Sequence, residues 1–116
     1  MNNERQVVIA SGVRTAIADF GGSLRDMPPT ELAGLVVAEA VKRSGLAGGD
    51  IGHCVMGSVT HSDRRDMYMG RVAALKGGLP IETPALTVNR LCGSGLQAVV
   101  SAAQMILLGD CDAAVA

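Results

Sequence analysis

Aromatic residues are nearly missing from this 116-residue chain, which has one phenylalanine (Phe20), one tyrosine (Tyr68) and no tryptophan. Its core must be assembled from Val, Leu, Ile, Ala and Met. An excess of either charge is missing as well: ten Lys+Arg face eleven Asp+Glu, a net charge of -1. Without a basic surplus nothing favours a nucleic-acid partner. A hydrophobic fraction of 48% with so little net charge excludes intrinsic disorder. Paired cysteines are absent too. Cys54, Cys92 and Cys111 are odd in number and form no CxxC pair, so they provide neither a disulfide framework nor a zinc site. His53 and Cys54 are neighbours in a predicted strand and point to opposite faces, which prevents them from chelating one metal together. No metal and no bound cofactor is expected. The N-terminus MNNERQ carries an acidic residue, and the apolar stretch Val7 to Ala10 is too short for a signal sequence. The expected location is the cytoplasm.

What the chain does have is glycine, fifteen residues of it with no three-residue period, so a collagen-like helix is excluded. It also has one long uncharged segment, Leu91 to Gly109, close to bilayer-spanning length. Gln97, Ser101 and Gln104 fall at i, i+4 and i+7, a polar stripe down one side of a helix. Leu96, Val99, Val100, Ala103, Ile106 and Leu107 occupy the opposite side. That pattern predicts a helix buried in a folded protein rather than a membrane span.

Elsewhere, short apolar runs alternate with helical periods. Strands are predicted over 7–13, 53–59 and 85–89, the last with Pro84 at its start, where a missing N–H is tolerated. Residues 15–29 read as a loop broken by Gly21-Gly22 and Pro28-Pro29. Thr30 reads as a helix N-cap with Glu31 in the first turn. Leu32, Leu35, Val36, Ala40 and Val41 form the apolar face, Glu39 and Arg43 an exposed i, i+4 pair, and Gly45 the stop. Asp66 reads as the cap of a second helix that ends at Gly77-Gly78. Asp112 to Ala116 begins a fourth apolar run. The order β-α-β-α-β-α-β favours an α/β domain with parallel strands covered by helices. Its last strand ends the sequence without a turn residue, which is the expected look of the front portion of a larger protein.

The densest chemical signal is Asn89-Arg90-Leu91-Cys92-Gly93-Ser94-Gly95-Leu96-Gln97-Ala98. Here a strand delivers the chain to a cysteine at which an uncharged helix starts. The unpaired N–H groups of a helix N-terminus stabilise a thiolate and favour its attack as a nucleophile. Gly93 and Gly95 remove side-chain bulk, so an acyl group can approach the backbone, and an N–H in the turn can bond an oxyanion. On spacing alone two readings stay open, because free cysteines are also common as small buried hydrophobes. Weaker signals are Gly21-Gly22-Ser23, a turn rather than a phosphate loop without Gly-Lys-Ser/Thr, and Arg64-Arg65-Asp66, an exposed ion-paired loop. Met67 and Met69, which straddle Tyr68, suit packing in a core or subunit interface.

The segment NRLCGSGLQAV resembles the nucleophile motif of the thiolases, the family of acetyl-CoA acetyltransferases and 3-ketoacyl-CoA thiolases. VVIASGVRTAIADFGGSL resembles the family's first strand and loop, and RRDMYMGRVAALKGGLP its second helix. Three motifs in order cover essentially the whole chain. The resemblance implies a layered αβαβα fold, with residues 1–116 forming the N-terminal portion of the N-terminal domain. The CoA-binding loop domain and the C-terminal domain would then lie beyond Ala116. It implies that Cys92 is acylated by the substrate thioester while its backbone N–H contributes to an oxyanion hole. It implies CoA thioesters as substrates, the remaining thiolase segment as a partner, and a homodimer or dimer of dimers, with Asn89 and Arg90 at the subunit contact.

The family's later motifs, a GHP-type histidine, a CxGxG-type cysteine and an NEAF-type asparagine, do not occur in the sequence. Cys111 sits in Asp-Cys-Asp with no following Gly-x-Gly, and His53 and His61 precede the nucleophile and match nothing catalytic. The expected function is reversible thiolytic cleavage or Claisen condensation of 3-ketoacyl-CoA and acetyl-CoA, with residues 1–116 inactive alone. The alternatives are a decarboxylating condensing enzyme of the same fold and a non-catalytic scaffold subunit.

Overall fold

The structure, a computed structural model, describes residues 5–116. The first helix, α1, spans Pro29–Ser44 and begins on proline rather than on a Thr30 cap. Pro29 is suited to the first helical position, since its fixed φ fits the helix and its missing N–H would go unpaired there anyway. Thr30 is instead fully buried within the first turn. Gly45 stops α1 in the left-handed conformation, φ +77°, as Gly109 stops the last helix at φ +85°.

After a short 3-10 turn at Gly48–Asp50, the strand β1 spans His53–Gly57. A second 3-10 turn at Asp66–Tyr68 leads into α2, Met69–Lys76. The strand β2 (Ala85–Val88), the helix α3 (Ser94–Leu108) and the short strand β3 (Ala114–Val115) complete the chain. All pairings are parallel, in the order β2-β1-β3, with Cys54 opposite both Ala85 and Val115.

The expected strand at 7–13 is not part of this sheet. The segment is extended and mostly exposed, and it lies across a groove of about 500 Å³ lined also by α1, α3 and β3. Among the described residues, the Ser11 hydroxyl donates to the Ala40 carbonyl at 2.7 Å, and just before the segment Arg5 pairs with Asp112 at 2.6 Å. Val8 and Ile9 have the β-branched character of a strand, but among the described residues no strand pairs with them.

The helices divide between the two faces of the sheet. Cys54 and Met56 point toward α1 and α2, where Ala33, Val37, Met69, Ala73, Ala74 and Leu79 close one core. On the other face Val55 meets Ala98 and Ala102 of α3. The predicted apolar face of α1 is rotated in the structure. Ala33, Gly34 and Val37 are buried and Leu35 points outward. Small residues allow α1 and α2 to approach closely: a Cβ on Gly34 would lie 2.6 Å from the Lys76 Cβ.

The expected burial of α3 is corrected in the same way. Ser94, Ala98 and Ala102 face the sheet, while Leu96, Val99, Val100 and Leu107 are exposed and only 17% of Leu91–Leu108 is buried. By composition that stretch could cross a bilayer, but the fifteen helical residues reach only about 22 Å, short of a hydrocarbon core of roughly 30 Å.

Candidate active-site turn

Parallel pairing brings the C-terminal ends of β1 and β2 to one edge of the sheet, and the chain turns there into α3. The Ser58 N–H donates to the Val88 carbonyl at 3.0 Å, which ties the two strand ends together. Gly57 ends β1 against the first turn of α3. A Cβ at that position would sit 2.8 Å from the Ser94 carbonyl carbon. The strand end thus forms a seat on which the helix start rests, and Cys92 lies two residues before the helix.

The turn itself is heavily bonded. Asn89 Oδ1 accepts the Leu91 N–H at 3.0 Å, and Asn89 Nδ2 donates to the Val59 carbonyl at 3.4 Å. Ser94 Oγ accepts the Arg90 N–H at 2.8 Å and donates to the Leu91 carbonyl at 2.7 Å. The Gly93 and Ser94 N–H groups donate to the Arg90 and Leu91 carbonyls at 3.1 and 3.0 Å. Arg90 reaches Gln97 on the next turn, and Gln97 donates to Ser101 at 3.0 Å, so part of the polar stripe is a connected chain. Among the described residues, Leu91 alone has a positive φ without being glycine, at +50°. Such a conformation costs a leucine about 1–2 kcal/mol.

Cys92 is exposed at the crest of this turn. Among the described residues, no acceptor meets the N–H groups of Cys92, Gly95 or Leu96. Cys92, Gly95 and Leu96 are all exposed, and unpaired N–H groups at a helix start are the kind of donor that receives a developing oxyanion. The hydrogen bonds of the turn use only amide, hydroxyl and guanidinium groups. No histidine or carboxylate takes part in them.

The other two cysteines differ from it. Cys54 is completely buried between β2 and β3, and burial pushes its thiol up to about 11. Cys111 is half-buried beneath Gly52, and burial followed by the neighbouring Asp110 and Asp112 raises it as well. Of the weaker sequence signals, Gly21-Gly22 forms a hydrogen-bonded turn, the Gly22 N–H donating to the Asp19 carbonyl at 2.9 Å. Arg65 pairs with Asp63 at 2.9 Å in a partly exposed loop. Met69 enters the core, whereas Met67 and Tyr68 are exposed. His53 opens β1 with Nδ1 buried and unpartnered, and His61 is exposed in the following loop.

Asp66 does not cap α2. Its carboxylate is buried and turns back to accept the Ser62 and Asp63 N–H groups at 2.8 and 3.0 Å and the Ser62 hydroxyl at 3.0 Å. Burial raises its proton affinity, but these donors outweigh it and hold the carboxyl below its ordinary value. Sequence reasoning missed the Asn89 and Ser94 brackets on the Cys92 turn. The only signal for them was Asn and Ser, residue types that bond local backbone, placed on either side of the cysteine.

The profile of the thiolase N-terminal domain matches residues 7–116. The chain is 64% identical over 111 residues to the beta-ketothiolase BktB of Cupriavidus necator, covering 96% of this chain and 28% of that protein. An acetyl-CoA acetyltransferase of the same organism is 43% identical over 110 residues, covering 95% of this chain and 28% of its own. Among solved structures, human mitochondrial 3-ketoacyl-CoA thiolase in complex with CoA superposes with a TM-score of 0.85 at 34% identity, over 88% of this chain and 26% of that one. This chain thus spans little more than a quarter of the length of the relatives it matches.

Proposed function

This chain belongs to the thiolase family, and from that premise we propose that it carries the nucleophile of an acyltransferase acting on CoA thioesters. The observation that carries the reading is Cys92, exposed beside unpaired N–H groups at the start of α3 within NRLCGSG. The thiolate attacks the thioester carbonyl, the turn's N–H groups receive the developing oxyanion, and collapse expels the CoA thiolate to leave an S-acyl cysteine. In the degradative direction Cys92 instead attacks the 3-keto carbonyl of a 3-ketoacyl-CoA and the C2–C3 bond breaks. The departing acetyl-CoA carbanion takes up a proton, and the CoA thiol then takes the acyl group from Cys92. In the synthetic direction a carbanion derived from acetyl-CoA attacks the acyl-enzyme.

Claisen chemistry also needs a base for a weakly acidic proton alpha to the thioester, and a placed oxyanion site for the enolate. This chain supplies one placed nucleophile. We assign the base to the remaining thiolase segment, with residues 1–116 as the N-terminal portion of the N-terminal domain. The protein is read as a cytoplasmic enzyme that assembles as a homodimer or dimer of dimers, with no resident cofactor. Exposed Leu96, Val99, Val100 and Leu107 on α3 support a further covering layer.

The test is to incubate the complete protein, residues 1–116 continued by the remaining thiolase segment, with radiolabelled acyl-CoA and to assay acetoacetyl-CoA cleavage with added CoA. Label on Cys92 and loss of thiolysis in Cys92→Ser are expected. Full thiolysis in that variant would overturn the nucleophile assignment. Residues 1–116 expressed alone should show no turnover and should self-associate on sizing chromatography. A soluble monomer with Cys92-dependent turnover would show that the base lies within this chain after all. A GHP histidine and a CxGxG cysteine in the covering segment support thiolysis, whereas two histidines favour decarboxylating condensation.

A further inference from the structure

The Cys92 turn contains a feature that nucleophilic attack does not by itself require. Leu91, the residue just before the nucleophile, is held at φ +50°. A leucine leaves that conformation readily unless its surroundings hold it. The Leu91 carbonyl accepts two hydrogen bonds, one from the Ser94 N–H at 3.0 Å and one from the Ser94 hydroxyl at 2.7 Å. The same hydroxyl accepts the Arg90 N–H at 2.8 Å. One oxygen thus joins the residue before the strained position to the strained position itself. Ser94 is only 4% exposed, and its backbone is seated against Gly57 at the end of β1. The bracket is therefore anchored to the sheet.

Resting on the reading of Cys92 as nucleophile, we propose that Ser94 is the positioning residue that aims it, its hydroxyl holding Leu91 in the left-handed conformation. Released from the bracket, Leu91 relaxes to a negative φ and rotates the following peptide. The Cys92 thiol and N–H then turn away from the edge where the free helix donors lie. Ser94 itself touches no substrate in this account; it acts through the backbone of Leu91.

The test uses the complete protein, residues 1–116 continued by the remaining thiolase segment, and two separate readouts. The first is the rate of Cys92 alkylation by iodoacetamide as a function of pH, read by peptide mass spectrometry so that Cys54 and Cys111 do not contribute. The second is acyl labelling from acyl-CoA. Ser94→Ala is expected to slow acyl labelling of Cys92 about 10- to 100-fold, because misplacement of a reacting atom costs on that scale, and to slow its alkylation in the same direction. Ser94→Thr and Ser94→Val form a pair of matched volume. Thr, which keeps the hydroxyl, should retain the rate, and Val should lose it. Leu91→Gly, which adopts positive φ without cost, should restore part of the rate in the Ser94→Ala background.

Equal rates in the Thr and Val variants, or unchanged rates in Ser94→Ala, overturn the proposal. If Ser94→Ala does not fold, the Thr and Val pair decides. Because alkylation needs no acyl-CoA, the two readings fail separately. Full acyl transfer in Cys92→Ser removes the nucleophile assignment, while an unmoved alkylation rate in Ser94→Ala removes the role of Ser94.

Discussion

On the α1/α2 face of the sheet, Cys54 is sealed beneath Val37, Ala73 and Ala74, and even backbone is packed to contact: a Cβ on Gly70 would lie 2.5 Å from the Leu86 carbonyl oxygen. On the α3 face, Val55, Ala98 and Ala102 are the buried hydrophobics with Met105 packed against them, while Leu96, Val99, Val100, Leu107 and Leu108 are exposed. The two faces carry similar amounts of apolar sequence and use it differently. The first is a finished interior, built from small residues that bring two helices close. The second holds α3 along a narrow stripe of Ser94, Ala98, Ala102 and Met105 and leaves its opposite side uncovered. The Cys92 turn is held by hydrogen bonds to Ser94 and Asn89 together with the seat of Ser94 against Gly57.

The largest effect should come from breaking the finished face. Gly70→Ala places a methyl group against the carbonyl oxygen, carbonyl carbon and nitrogen of Leu86, atoms that cannot rotate aside. The Gly70 N–H is also bonded to Thr87 Oγ1 at 2.9 Å, so the helix cannot simply lift off. Overpacking of this kind costs about 3 kcal/mol, and a urea melt of the full chain should register it as a lower midpoint with unchanged slope. A midpoint equal to that of the unsubstituted chain would mean that α2 and β2 are less tightly joined than the contact distances imply.

These packing distances also explain how far the sequence could be read. α1, the C-terminal stops at Gly45 and Gly109, and the strands at 53 and 85 were legible because local rules decide them. The two C-caps are glycines at positive φ, and Pro84 sits before β2 without interrupting its ladder. Which side of a helix turns inward was not legible for α1 or α3. Close approach favoured Ala33, Gly34, Ala98 and Ala102 over Leu35 and Leu96, and hydrophobic periodicity ranks those in the opposite order. The segment 7–13 has strand composition, but a ladder needs a partner and the sheet's described strands do not pair with it. At the site, Cys92 stood out through its motif. The left-handed Leu91 did not, since leucine carries no local preference for that conformation.

An intermediate effect contrasts the buried thiol with the exposed one. Burial raises Cys54 to about 11 from an unfolded value of 9.0, so the folded state holds its proton more tightly than the unfolded state does. Stability from this group is fully present below pH 9 and falls as pH rises toward 11, by about 2–3 kcal/mol at the upper end. The measurement is the difference between the parent chain and Cys54→Ala, which isolates this group from the rest of the chain. The pH-dependent part of that difference should vanish below pH 9. In the same samples iodoacetamide should modify Cys92 well before Cys54. Early modification of Cys54 would mean that the finished face opens locally.

The smallest effect is expected on the uncovered face, and it discriminates most sharply between the two. Leu96 and Leu108 are 74% and 79% exposed, so a charge placed there keeps its water. In residues 1–116 alone, the Leu96→Glu and Leu108→Glu double variant should leave the unfolding free energy within about 0.5 kcal/mol, the ordinary range for surface positions. It should also reduce self-association, because the apolar patch that drives it now repels a copy of itself. In a chain completed to the length of its relatives the outcome should reverse. If a further layer covers α3, each glutamate must be buried without a partner, and the folded protein should be lost or strongly destabilised. The comparison is therefore made between two lengths of one sequence carrying the same two substitutions. Equal tolerance at both lengths would mean that α3 stays exposed in the complete protein. Equal damage at both would mean that the helix is already packed within residues 1–116.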